Sequence, residues 1–138
     1  MGKEGCQKLM SEVREKELNS NELENISELE DEEYRKFVDR IVKANREIFV
    51  LCVLANKPMC GYDVIKEIFL RCNVFLSQGN VYPILYSLEE KGILRAEFTR
   101  GNMRSKLYFI APEKREIIQK KIDLFVKAME SMLFFVKE

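Results

Sequence analysis

Four uncharged hydrogen-bonding side chains, Gln78, Asn80, Tyr82 and Tyr86, gather where the apolar residues Val81, Ile84, Leu85 and Leu88 recur at helical spacing. Amides and phenols both donate and accept, so a helix that shows them near its N-terminus suits base edges and phosphates in a major groove. Ser77 stands where it can cap this helix, and Lys91-Gly92 supplies a basic last turn and a stop. A second group lies just behind. Ile93–Arg100 and Lys106–Ile110 read as two strands joined by the hairpin loop 101–105. Arg100, Arg104 and Lys106 decorate it, with no acid between Phe98 and Pro112, which suits a phosphate or minor-groove contact.

Both groups need a scaffold, and the preceding chain supplies one. Residues 1–26 are polar and read as a loosely attached arm or as a helix for a neighbouring subunit. Ser27 with Glu30 fits a capping box, and Tyr34, Phe37, Val38, Ile41 and Val42 give an amphipathic helix over about 28–43. A second, nearly all apolar helix spans Arg46 to Asn56 and ends at Lys57-Pro58. A third runs from about Tyr62 to Arg71, with Val64, Ile65, Ile68 and Phe69 inward, and Asn73 to Leu76 is extended. Pro83 either loosens the first turn of the amide-bearing helix, whose carbonyl four residues back belongs to Gly79, or marks a later start near Asn80. Pro112 ends the second strand, and a long helix over about 113–138 follows.

That last helix repeats Ile118, Ile122, Phe125, Met129, Met132 and Val136 by fours and threes, a heptad seam. Leu124, Val126, Leu133, Phe134 and Phe135 widen the stripe beyond one seam, so a second copy of the chain is its expected partner. The order of elements is that of a winged helix-turn-helix: mainly α with a small β-hairpin, an N-terminal helical extension and a long C-terminal dimerisation helix. Three regions are expected: an acidic extension over 1–43, a winged-helix domain over 44–112 and the helix 113–138.

Composition narrows the function. The chain has 138 residues, 46% apolar and 33% charged, with 23 basic and 23 acidic side chains. Residues 1–43 hold 8 basic against 12 acidic residues, whereas 44–112 hold 9 against 6, so the positive excess sits around the candidate reader. The longest apolar run, Ile48 to Ala55, is too short to span a bilayer, and no export leader is legible, so a cytoplasmic protein with no membrane partner is expected. Cys6, Cys52, Cys60 and Cys72 show no CxxC spacing and there is no histidine; no metal and no cofactor are expected. No phosphate-cradling glycine loop and no nucleophile-base pair is present, so an enzyme is not expected.

At three places the chain resembles the PadR (phenolic acid repressor) family of winged-helix transcription regulators: Leu54 through Pro58-Met59-Cys60-Gly61-Tyr62-Asp63-Val64, then Ser77 through Leu94, then Arg104-Ser105-Lys106-Leu107-Tyr108. The resemblance covers roughly residues 44–115. It implies a homodimer on double-stranded DNA, with the helix 77–91 in the major groove and hairpin 100–106 as wing. It also implies dimerisation through the C-terminal helix and, in some members, a small hydrophobic or aromatic effector that releases DNA. Asn80 departs from the threonine common in the family, and residues 1–43 lie outside the family core.

The expected function is a sequence-specific transcriptional regulator, a repressor on a palindromic site. Its DNA-contacting residues would be Tyr62, Ser77, Gln78, Asn80, Tyr82, Tyr86, Arg100, Asn102, Arg104 and Lys106. Two other readings stand beside it: a winged helix used as a protein-interaction module, which the zero net charge and acidic extension favour, and a redox or metal sensor using Cys60 and Cys72.

Overall fold

The computed structural model describes residues 20–100 and 105–138. In chain order these form α1 (Ser20–Ala44), α2 (Arg46–Asn56), α3 (Gly61–Cys72), α4 (Gln78–Glu90), β1 (Leu94–Phe98), β2 (Lys106–Ile110), a 3-10 turn (Pro112–Lys114) and α5 (Arg115–Lys137). This is the winged helix-turn-helix order, with an added N-terminal helix and a long C-terminal one. Contacts divide the chain into two units. One is Val38–Phe125; the other joins, among the described residues, those from Ser20 to Phe37 with Val126–Glu138. The first is wider than the region 44–112 expected from sequence, because Val42 before it and Ile118 after it enter its core.

Local chemistry explains most of the boundaries. α2 puts Ile48, Val50, Leu51, Val53 and Leu54 into the core, and its apolar sides pack on both α3 and β2. α3 buries Gly61, Val64, Ile65 and Ile68, but Phe69 points to solvent, against its expected inward place. The four inward positions already close its core stripe, and Phe69 falls beside it. Asn73 ends α3 in left-handed geometry at φ 56°, its N–H donating to the Phe69 carbonyl at 2.8 Å. The extended piece that follows alternates as a strand-like segment should, with Val74 and Leu76 buried and Phe75 exposed.

α4 ends on two hydrogen bonds: Gly92 N–H donates to Glu89 O and Ile93 N–H to Leu88 O, both at 3.0 Å. That pair is a Schellman closure, and it requires the left-handed φ of 75° that Gly92 adopts. β1 and β2 pair antiparallel, with Leu94 opposite Ile110 and Phe98 opposite Lys106. Beyond β2, Met59 and Tyr108 exchange two further hydrogen bonds, Met59 N–H to Tyr108 O at 3.0 Å and Tyr108 N–H to Met59 O at 2.8 Å. The turn before α3 therefore adds a one-residue third strand to the wing sheet.

Three expectations need correction. α1 begins at Ser20, so Ser27 is an interior helix residue and not a cap. The helix-favouring run Glu22-Leu23-Glu24 carries the helix through the point where a capping box seemed to open it. Of the apolar face expected on α1, only Val42 is buried and Val38 half-buried; Tyr34, Phe37 and Ile41 are exposed. Ile118 is buried in the core of its own unit, Ile122 packs against that core, and the Phe125 ring meets Phe49 edge-on at 6.1 Å. The first half of the heptad seam is thus used within the protomer. The arm expected over residues 1–26 falls, up to residue 19, outside the described residues.

Gly92→Ala is expected to cost about 1–2 kcal/mol, because a Cβ at that position meets open space and the whole penalty lies in the left-handed backbone. Urea denaturation of the purified chain measures it.

Candidate nucleic-acid interface

The exposed side of α4 is set by what its other side must bury. Val81, Leu85 and Leu88 are fully in the core. That leaves Ser77, Gln78 and Gly79 in solvent, Asn80 half-buried, and Tyr86 54% exposed. Ser77 occupies the N-cap position with extended backbone, yet its hydroxyl makes no cap hydrogen bond. Its carbonyl accepts the first hydrogen bonds of the helix, from Asn80 N–H at 3.0 Å and Val81 N–H at 3.1 Å. Gln78 is therefore the first residue of the helix, and Pro83 sits inside an unbroken α4. The alternative of a start near Asn80 does not hold. Pro83 withholds the donor that would have met Gly79 O, and Gly79 is exposed, so water can serve that carbonyl.

Tyr82, expected among the DNA contacts, is half-buried and also packs between two helices. Its ring is half-buried against the core and lies so close to Gly61 that a Cβ there would be 2.6–2.8 Å from Cζ, Cε1 and the hydroxyl. Gly61 thus allows α3 to approach α4, and Tyr82 fixes their spacing. Its ring also meets Tyr86 at 6.0 Å. Tyr62, next to Gly61 at the start of α3, is 62% exposed.

On the hairpin, Arg100 is exposed just past β1, while Asn102 and Arg104 lie outside the described residues. The loop mouth is closed by Thr99 N–H to Ser105 O at 2.8 Å and Ser105 N–H to Thr99 Oγ1 at 2.9 Å. Lys106, expected as a free wing cation, is engaged. Its Nζ lies 2.8 Å from Glu89 Oε1 on α4 and stands over the rings of Tyr108 at 5.0 Å and Tyr86 at 5.8 Å. Arg95 in β1 pairs with Glu113, and Lys121 in α5 meets Glu47 at 3.0 Å, so other edges of this unit are also tied by charge.

The Glu89 hydrogen bond raises the Lys106 ammonium above its ordinary 10.5, with burial pulling the other way. Burial pushes the Tyr108 phenol above 10.0, with Lys106 opposing. Both groups hold their protons more tightly in the folded chain. The stability they contribute is full below their unfolded values and is lost as pH rises through the folded ones. Urea midpoints are expected to fall from about pH 10 upward, and Tyr108→Phe to fall less steeply over the same range.

Among the described residues no cluster of three or more histidine, cysteine or acidic side chains could hold a metal ion. Cys60 and Cys72 stand at opposite ends of α3, about 18 Å apart along its axis at 1.5 Å per residue. They cannot form a disulfide within one chain. Cys72 instead shares an apolar cavity of about 200 Å³ with Cys52, Phe49, Val53 and Ile68, with Asn56 and Arg71 also lining it. Burial raises the Cys52 thiol.

The sequence profile described as "Transcriptional regulator PadR-like family" matches residues 50–120, just over half of the chain and all of α3, α4 and both strands. This chain belongs to the PadR-like family of transcriptional regulators. Solved structures share its PadR-like fold. A transcriptional regulator from Clostridium thermocellum is 19% identical, with 71% of this chain and 99% of that one covered at a TM-score of 0.60. A PadR family transcription regulator from Clostridium difficile is 22% identical, covering 65% and 96% at 0.58. The circadian clock associated protein Pex from Anabaena is 15% identical, covering 63% and 79% at 0.54. At these identities the likeness is one of fold. No curated protein matches the chain. No described helix is long and apolar enough to cross a membrane.

Gly61→Ala in this PadR-like chain forces the Tyr82 ring to move, at an expected cost of about 1–3 kcal/mol. Adding Tyr82→Ala should make the Gly61→Ala step far cheaper, which a double-mutant cycle by thermal denaturation reads directly.

Proposed function

We propose that this PadR-like regulator binds double-stranded DNA as a homodimer, α4 entering the major groove and the β1–β2 hairpin flanking it as a wing. It would repress transcription from a two-fold symmetric site. The observation that carries this reading is the placement of Gln78 and Asn80 in the first turn of α4, both uncharged, Gln78 in solvent and Asn80 half-exposed. Tyr62 at the start of α3 and Arg100 at the wing extend the same contact set, with Ser77 and Tyr86 on the helix itself. The free hydroxyl of Ser77 suits a phosphate contact, because the cap does not use it.

A second recognition helix requires a second copy. Met132, Leu133, Phe134, Phe135 and Val136 of α5 are all exposed, Phe135 at 75%. That apolar stretch favours dimerisation through the later half of α5, with Met129, Met132 and Val136 continuing the heptad. For a small hydrophobic or aromatic effector, the cavity lined by Phe49, Cys52 and Ile68 offers an apolar place of suitable chemistry.

The protein-interaction reading draws support from the engaged state of Lys106 and from the acids Glu89, Glu90 and Glu97 on neighbouring elements. Salt separates the two, since phosphate contacts release counterions and an apolar interface does not. Fluorescence anisotropy with a site selected from random duplexes should show affinity falling steeply with salt. Arg100→Ala should weaken all duplexes alike and lower the salt slope by about one, whereas Gln78→Ala should change which sequence is preferred. Salt-insensitive association would favour the protein partner.

A further inference from the structure

Lys106 opens β2 opposite Phe98, at the loop end of the hairpin, and Glu89 is the penultimate residue of α4. Between them runs the 2.8 Å ion pair, with each side chain only about one-third exposed at 33% and 34%. The ammonium is further flanked by the Tyr108 ring below it and the Tyr86 ring on α4. Tyr108 does not give way, since it is 1% exposed and bonded through both backbone groups to Met59. A phosphate reaching Lys106 would have to displace a carboxylate and leave that carboxylate facing the DNA.

We propose that Lys106 is a positioning residue, an internal tie between wing and recognition helix through Glu89, and that it does not itself meet a DNA phosphate. The tie makes the hairpin and α4 one body, so that Arg100 and Gln78 are offered to the duplex at a fixed separation. This rests on the DNA-binding reading given above. Cation-aromatic contact adds to the carboxylate bond, and both survive only while the β1–β2 register holds Lys106 beside α4. Removing either end of the pair should therefore have the same effect. A direct phosphate contact makes the opposite demand, since losing Glu89 would release the cation and tighten binding.

The test uses the full chain with a mixed-sequence duplex of about 30 base pairs. Lys106→Met and Glu89→Ala should each weaken binding roughly three- to tenfold while the salt slope stays at the wild-type value. The exchanged pair, Lys106→Glu with Glu89→Lys, should recover most of the loss. A slope lowered by about one in Lys106→Met, or tighter binding by Glu89→Ala, overturns the proposal. Amide hydrogen exchange at Thr99 and Ser105 gives a readout without DNA: faster in both single variants, restored in the exchanged pair. Unchanged exchange also overturns the tie. Were the wild-type chain to bind no duplex, the DNA reading would fail while the exchange result still decided whether Lys106 holds the wing.

Discussion

Tyr108 turns both of its backbone groups toward Met59, and the wing depends on that choice. A strand residue offers its N–H and C=O to one side only, so the ladder toward β1 falls to the alternate residues of β2. β2 is thereby bonded on both edges, and a two-stranded hairpin that would be marginal alone gains a third pairing. The same residue puts its ring in the core beneath Lys106. One residue, through its backbone and its ring, thus connects the turn before α3, the sheet and the cation that reaches α4. The helix-turn-helix and the wing are not two modules placed side by side; Tyr108 belongs to both.

Glycine and tyrosine set the other critical distance. Gly61 has no Cβ because the Tyr82 ring occupies that space, and the close approach brings the start of α3 alongside the first turns of α4. Tyr62, the neighbour of that pinned glycine, is left exposed. The Tyr82 phenol, whatever it contacts outside, works within the fold as a spacer between the two helices.

Much of this was legible in the sequence, for physical reasons. α2 is legible over its full span because an all-apolar run bounded by Pro58 has few alternatives. β2 was likewise bounded by charge and Pro112, and α4 by a capping position and a left-handed glycine. What is not legible depends on contacts distant along the chain. The Met59–Tyr108 pairing involves one residue on one side and has no period to detect. The Lys106–Glu89 bond crosses 17 positions and exists only in one strand register. A heptad in α5 states that a partner is needed but not which, and Ile118, Ile122 and Phe125 found theirs inside the protomer. Ser27 and Glu30 mimic a cap because residues three apart share a face anywhere in a helix.

The closure of α4 at Gly92 has a consequence for how relatives of this chain can differ in length. Three residues, Lys91, Gly92 and Ile93, separate α4 from β1, and all three donate their N–H groups to carbonyls of the helix. One inserted residue would reverse the two faces of β1, sending Leu94 out and Arg95 inward. The hairpin tip past Thr99 carries no such restriction, since its strands are already in register below it. Variation in length should therefore collect at the tip of the wing and be absent at its root, and the reach of the wing can change while its angle to α4 is kept.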